Sequence, residues 1–332
     1  MKAITQDRYG SSDVLRLEEV ETPAFGEDEV LVRVRAAGVG PEVWHLMTGR
    51  PSFVRLMGFG LRAPKARIPG RDVAGIVEAV GSAVSGFHPG EEVFGSCRGS
   101  FAEYAVAATA EKGTVGGAGV LALKPGNLTF EQAAAVPTSA STALQGLRDA
   151  GGLQAGQSVL VIGASGGVGT FAVQLAKEFG AHVTGVCSTA KAELVRSLGA
   201  DDVVEYTRED FAERPEHYDL ILDTAGRRSL TQLRRALTPR GTLVIVGGEG
   251  GGRVTGGFER QLRAVALSRF VSQRLLSLTA VDRRADLLFL KDLIEAGKLT
   301  PVVDRIYALP DAASALADAD EGHGRGKKVI VI

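Results

Sequence analysis

An apolar run, Val159-Leu-Val-Ile162, breaks at the glycine-dense turn Gly163-Ala-Ser-Gly-Gly-Val-Gly169, and a helix-forming pattern follows at once as far as Lys177. Glycines at such a turn let the chain bend sharply and let a pyrophosphate approach bare N–H groups. The helix that follows points its positive end at that anion. The spacing Ala164-x-Gly166-x-x-Gly169 is a dinucleotide fingerprint with alanine in the first glycine position. Glycine-rich turns join strands to helices in many proteins, so the motif needs its context. Here a strand precedes, a helix follows and a βαβ unit continues. The expectation is a bound nicotinamide dinucleotide.

The next strand, Ala181–Cys187, ends in Ser188-Thr-Ala-Lys191. NAD-specific sites place Asp or Glu about 20 residues past the first glycine, on the ribose 2′-hydroxyl. This window offers Ser188 and Lys191 and no carboxylate. A lysine and a hydroxyl attract a 2′-phosphate that a carboxylate would repel, and charge-assisted hydrogen bonds contribute about 1.5–3 kcal/mol each. NADPH is therefore the expected cofactor. The competing reading of Lys191 is a solvated residue in the first turn of the next helix.

The first third of the chain is strand-rich, with apolar or alternating stretches at Met1–Arg8, Val14–Glu19, Glu29–Ala37, Ala74–Val80, Glu92–Gly95 and Phe101–Ala107. The period changes at Thr129, which can cap a helix with Gln132 three residues on. From Val159 strands alternate with helices, the rhythm of a parallel sheet covered on both faces. After about residue 266 the pattern is mixed, with helices at Asp286–Gly297 and Asp311–Ala319 and strands at Asp304–Ala308 and Lys327–Ile332. Lys112–Val120 and Gly247–Gly257 fit no element and read as glycine-rich loops. The 332 residues, 45% hydrophobic, suffice for two domains with cores of their own. A net charge of −1 without long basic runs argues against nucleic acid as partner. No apolar stretch approaches membrane-spanning length, and the amino end reads as a strand rather than a signal peptide. Cys97 and Cys187 are too few for a disulfide framework or a four-cysteine zinc site, so the expected compartment is the reducing cytoplasm.

Several motifs recur together: Glu29-Val-Leu-Val-Arg-Val-Arg-Ala-Ala-Gly-Val39, Pro69-Gly-Arg-Asp-Val-Ala-Gly75, Gly99-Ser-Phe-Ala-Glu-Tyr104, Ala133-Ala-Ala-Val-Pro137, the fingerprint, Leu198-Gly-Ala-Asp-Asp202 and Gly326-Lys-Lys-Val329. With them the chain resembles the medium-chain dehydrogenase/reductase superfamily, and within it the zinc-free quinone oxidoreductase branch, over nearly its whole length. The resemblance implies an α/β architecture: a Rossmann doubly wound parallel sheet (125–265) inserted into a GroES-like β-rich catalytic domain (1–124), which residues 266–332 complete. It implies pyrophosphate contacts at Gly166, Gly167 and Val168, in the turn that also holds Gly163 and Ser165, and a 2′-phosphate corner at Ser188, Lys191 and Tyr206. Thr142 would lie near the nicotinamide ribose, with Gly247 close to the nicotinamide, and His323 and Arg325 would return to the cofactor from the last segment. Relatives dimerise by joining Rossmann sheets edge to edge, and Gly241–Val246 is either near such an edge or interior, so a homodimer is expected.

Zinc members need a cysteine just after the Ala-Gly-Val turn and a His-Glu pair after Gly; here those positions read Gly40 and Arg71-Asp72. A catalytic zinc needs about three protein ligands, so no metal is expected. Zinc-free relatives carry Asn-Pro-x-Asp-Trp after the valine, and a tyrosine further on. This chain has Gly40-Pro-Glu-Val43-Trp44, with Ser52 at the tyrosine position. An oxyanion donor contributes about 2.7–4 kcal/mol, and Ser52, the Trp44 indole, a backbone N–H or the cofactor ribose could supply it. The leading expectation is NADPH-dependent hydride transfer to a small-molecule quinone or activated C=C bond. The alternatives are a specialised biosynthetic reductase or cyclase-type enzyme for a bulky polyketide-like or aromatic intermediate, and a catalytically poor NADPH-binding sensor or interaction protein.

Overall fold

The computed structural model describes residues 1–52, 55, 59–109, 119–246, 258–320, 322 and 324–332. Along the chain run β1 (Lys2–Thr5), β2 (Arg16–Glu19), β3 (Glu29–Val39), α1 (Pro41–Thr48), β4 (Asp72–Val80), β5 (Glu92–Ser96), β6 (Tyr104–Ala108), β7 (Val120–Leu123), α2 (Phe130–Ala134) and α3 (Pro137–Leu144). Next come β8 (Ser158–Ile162), α4 (Gly167–Glu178), β9 (His182–Cys187), α5 (Ala192–Ser197), β10 (Asp202–Glu205), β11 (Tyr218–Asp223), α6 (Leu230–Arg235), β12 (Leu237–Ile245), α7 (Phe258–Leu267) and β13 (Arg274–Ser277). The chain closes with α8 (Arg284–Glu295), β14 (Val303–Ala308), α9 (Ala312–Asp320) and β15 (Lys327–Val331).

Two compact units result, one of residues 1–141 with 281–332 and one of residues 142–280. The second begins later than the expected residue 125 because α2 packs on β3 and β4 of the first unit. It ends later than 265 because β13 adds a strand to its sheet.

In the first unit a mostly antiparallel sheet runs β14-β15-β3-β4-β5-β7, with β6 also on β3. Strand β3 is its axis, pairing Ala37 with Val73 of β4 and Gly38 with Val329 of β15. These registers carry the last strand to the start of β4 and the end of β3. Helix α1, which the strand-rich pattern concealed, starts with Pro41 at its first position and stops at Gly49, whose φ of +60° suits glycine. Thr129 and Gln132 form the reciprocal capping box at α2, with bonds of 3.3 and 3.0 Å.

The second unit is a six-stranded parallel sheet in the order β10-β9-β8-β11-β12-β13. Covered on both faces, its strands read as continuous apolar runs rather than alternations. Leu160, Ile162, Val186, Ile221, Leu243 and Leu275 meet in one core. Of the two readings of Gly241–Val246, the interior one holds, since β12 lies between β11 and β13. Among the described residues no helix is long and apolar enough to cross a membrane.

Candidate active site

Strand β8 pairs with β9 on one side and β11 on the other, and the winding direction reverses between them. At such a switch point the carboxyl ends of the strands open a crevice for ligands. The turn after β8 is built tightly. The N–H groups of Gly163 and Ala164 both donate to the Val186 carbonyl, at 3.1 and 3.0 Å. Gly163 has φ +83°, and a Cβ there would lie 2.5 Å from Thr224 Oγ1, which donates to the Ile162 carbonyl at 2.7 Å. At Gly169 a Cβ would come within 2.1 Å of the Gly163 carbonyl oxygen, so this glycine lets helix and strand pack.

Gly166 is different. Its φ of −85° suits any residue, and a Cβ would meet nothing nearer than the Gly163 oxygen at 3.4 Å. The fold does not require glycine there. Gly166 is also the N-cap of α4 and makes no side-chain cap bond, so the N–H groups of Gly167 and Val168 open the helix without an intrahelical acceptor. Ser165 is buried in the same turn. These residues fit the pyrophosphate of a dinucleotide.

Cys187 of β9 lies beside Glu205 of β10, and the Tyr206 N–H donates to the Cys187 carbonyl at 3.1 Å. Ser188 and Tyr206 therefore follow neighbouring strand ends, with Lys191 three residues beyond Ser188. Ser188 and Lys191 are half-buried and Tyr206 is exposed. The Thr189 and Thr207 hydroxyls share a 2.7 Å hydrogen bond that ties the two loops. One carboxylate was missed in the sequence: Glu205, paired with Arg208 at 3.2 Å and Arg196 at 3.8 Å. Arg196 and Arg208 thus pair with Glu205, and Lys191 and Arg196 both act on the neighbouring Cys187. Burial, then Glu205, push the Cys187 thiol up, which leaves it unreactive.

Asp223, Thr224 and Arg260 also escaped the sequence reading. Asp223 ends β11 fully buried, accepting from the N–H groups of Ala225 and Gly226 at 3.2 and 3.0 Å and from Arg260 Nη1 at 2.7 Å. It fixes the far wall of the switch point. Its signal was an acid closing an otherwise apolar strand.

In the first unit the sheet registers assemble a polar cluster. Lys327 Nζ, buried, lies 3.0 Å from Asp72 Oδ2 and 3.6 Å from Glu42 Oε1, and donates to Ser139 Oγ at 3.3 Å. Asp72 Oδ1 accepts from the Thr138 N–H at 3.1 Å and the Thr138 hydroxyl at 2.5 Å. Burial disfavours the Lys327 ammonium, but Asp72 and then Glu42 outweigh it and hold the pKa above the ordinary lysine range. Trp44 is half-buried on α1, packed on the core near Val43 and Met47 and edge-on to His45 at 5.2 Å between ring centroids. Ser52 is exposed beyond α1. Thr142 is buried on α3, and Arg325 is exposed just before β15. Gly247 and His323 lie outside the described residues. Among the described residues no group of three or more His, Cys, Asp or Glu is arranged to hold a metal. At the positions discussed above Gly40 offers no side chain, and Asp72 is engaged by Thr138 and Lys327.

Residues 26–145 match the alcohol dehydrogenase GroES-like domain family, and residues 198–330 match the zinc-binding dehydrogenase family. The chain is 35% identical to 2-methylene-furan-3-one reductase of Solanum lycopersicum, over 99% of this chain and 79% of that one. It is equally similar, at 35% with the same coverage, to the chloroplastic NADPH-dependent alkenal/one oxidoreductase of Arabidopsis thaliana. The quinone oxidoreductase of Coxiella burnetii has the same fold, with a TM-score of 0.86 and 28% identity over 100% of this chain and 99% of that one. The fold, the glycine cradle and these likenesses together show that the chain belongs to the medium-chain dehydrogenase/reductase superfamily, in its quinone-oxidoreductase-like branch.

Proposed function

We propose that this protein is a zinc-independent, NADPH-dependent reductase of quinones or activated C=C bonds. The observation that carries the reading is the use of Asp72. At the position where zinc members keep a metal ligand pair, its Oδ1 accepts from Thr138 and its Oδ2 is ion-paired with Lys327, and Gly40 has no side chain to offer. Reduction of a simple carbonyl depends on strong polarisation of its oxygen, which a Lewis acid supplies. A quinone or enone is already electron-poor at the carbon or oxygen that receives the electrons. The names of the relatives, an alkenal/one oxidoreductase and a furanone reductase, support the same substrate class.

Bound in the cradle, a reduced nicotinamide dinucleotide supplies the hydride. The protein's share is positioning and electrostatics. Gly166, Gly167 and Val168 receive the pyrophosphate, and Ser188, Lys191 and Tyr206, with Arg196 and Arg208 around Glu205, favour a 2′-phosphate over a 2′-hydroxyl. Thr142 is our candidate for the nicotinamide ribose, and Ser52 and Trp44 are our candidate donors to a substrate oxygen. The outer edge of β13 has no strand partner among the described residues, which supports a homodimer joined there; sedimentation equilibrium returning a monomer at micromolar concentration would contradict it. Two buried free thiols fit a reducing compartment such as the cytoplasm.

The test is NADPH oxidation with a panel of acceptors. Quinones and α,β-unsaturated ketones are expected to be reduced faster than simple aldehydes, with no effect of a chelator. Tight NADPH binding without turnover of any acceptor would refute the reading.

A further inference from the structure

Helix α7 is packed inside out. Its inward side is Gln261, whose Oε1 accepts from Ser277 Oγ at 3.0 Å, and Ala264, with Leu267 partly buried at the end. Its outward side carries Phe258, Leu262 and Val265, spaced four and three residues apart in one stripe. Leu262 is 60% exposed, and Phe270, just past the helix, is 85% exposed. A surface helix ordinarily turns such residues to the core, so the stripe marks a face that meets something outside the chain.

The charge around the stripe is one-sided. The described residues 224–246 and 258–280 hold nine arginines and one glutamate, a surplus of eight in a chain whose net charge is −1. Arg228 and Arg260 turn onto Asp210 at 3.0 Å and the buried Asp223 at 2.7 Å. Arg235, Arg240, Arg263 and Arg269 are exposed, and no carboxylate pairs with them among the described residues. Leu233 of α6 and Ala264 of α7 meet in one core, so both helices cover the same face of the sheet. The Ser272 hydroxyl donates to the Pro239 carbonyl at 2.6 Å, and Gln273 Nε2 donates to the Arg234 and Thr238 carbonyls at 2.9 and 3.3 Å. These bonds set the Arg269-Phe270 turn beside Arg235 and Arg240. Both helices run back from the strand ends that open the crevice, so this basic and apolar rim lies at the opposite end of the sheet.

We propose that this face docks on an anionic lipid surface, with the arginines on headgroup phosphates and Phe270, Leu262 and Val265 among the acyl chains. Arginine offers phosphate a planar fork of donors, and a helix with exposed apolar and basic residues lies in a bilayer interface. Nucleic acid or free phosphate would answer the arginines and leave the stripe in water. A second copy on this face would set the same arginines against each other. The dimer proposed above uses the edge of β13, which is the side of the sheet and leaves the covered face open. An acidic protein would need a pocket for the protruding Phe270, whereas acyl chains take it without one. Docking at this end keeps the crevice clear, and it depends on none of the chemistry proposed there.

Flotation of the full chain with vesicles tests this. The protein should float with vesicles of phosphatidylcholine and phosphatidylserine but not with phosphatidylcholine alone, and added salt should release it. At about fivefold per arginine near a charged bilayer, Arg263→Gln should weaken binding about fivefold, and Arg263→Gln with Arg269→Gln about 25-fold. Phe270→Ala should weaken it about tenfold at unchanged charge. Each variant should keep the natural melting temperature and NADPH affinity, because none touches the glycine cradle. Equal flotation with neutral vesicles, or binding unchanged in the variants, overturns the proposal. So does release by inorganic phosphate beyond that by chloride at equal ionic strength, which marks a free-phosphate site. Loss of self-association in Phe270→Ala without any vesicle binding assigns the face to a second copy, and capture of a glutamate-leucine peptide without vesicle binding assigns it to a protein; either result also overturns it.

Discussion

Gly166→Ala separates a glycine kept for a ligand from one kept for packing. At Gly166 the new methyl meets only the Gly163 oxygen at 3.4 Å, and the backbone is already in an ordinary region. Two small effects on stability oppose each other. Alanine restricts the unfolded chain, which stabilises by about 0.4–1 kcal/mol. As an N-cap it is poorer than glycine by about 0.5–1 kcal/mol. The sum is near zero, so the melting temperature should move by no more than about 2 °C. Binding should respond differently, because the methyl stands where the pyrophosphate must approach the N–H groups of α4. Losing one charge-assisted bond of about 1.5–3 kcal/mol weakens NADPH about 10- to 100-fold. Gly169→Ala is the control: its methyl would sit 2.1 Å from a backbone oxygen, an overpacking that costs about 1–3 kcal/mol. Calorimetric titration with NADPH and thermal melts of both variants give the comparison. Unchanged affinity in Gly166→Ala, or a loss of stability as large as that of Gly169→Ala, would refute the assignment of the cradle.

Three further outcomes follow. Lys191→Glu should weaken NADPH at least tenfold more than NADH, since it sets a carboxylate against the 2′-phosphate; equal effects in paired titrations would remove Lys191 from that role. Lys327→Met should destabilise by about 3–5 kcal/mol by leaving Asp72 charged and unpaired. The Lys327 pKa is raised on folding, so its contribution is fully present below the ordinary value of 10.5 and lost as pH climbs through the higher folded value; chemical unfolding across the alkaline range should show that loss in the natural chain and not in the variant. Burial alone would raise the Asp201 pKa, but its bonds to Lys177 at 2.8 Å and the Val183 N–H at 2.7 Å outweigh this and lower it. Its contribution is then present above 3.8 and lost as pH falls through the lower folded value, so Asp201→Asn should cost about 1 kcal/mol at neutral pH and flatten the acid limb of the stability profile.

What the sequence revealed was what depends on neighbours along the chain. The turn after Ile162, the capping box at Thr129, the parallel strands from Val159 onward and the closing strand at Lys327 each rest on a local pattern, and each stands in the structure. Helix α1 had its signals, Pro41 at the start and Gly49 at the stop, but eight residues among strands gave too short a period to stand out. Strand β12 is apolar whether it lies inside the sheet or at its edge, so only its pairing with β13 decided between the two. The same holds for the polar cluster. Lysine is rarely buried, and nothing local to Lys327 announces Asp72 or Glu42, which reach it through the pairing of β15 with β3 and of β3 with β4. The fold of Glu42 over Gly40 is a fact of side-chain placement, and the motif alone showed only that polar groups had been lost.

The most direct test of zinc-independent alkene reduction is the product formed from an α,β-unsaturated ketone and NADPH with a chelator present. The saturated ketone should form, with one NADPH consumed for each double bond reduced, at a rate the chelator does not change. An allylic alcohol as product, or activity that the chelator removes and zinc restores, would contradict it.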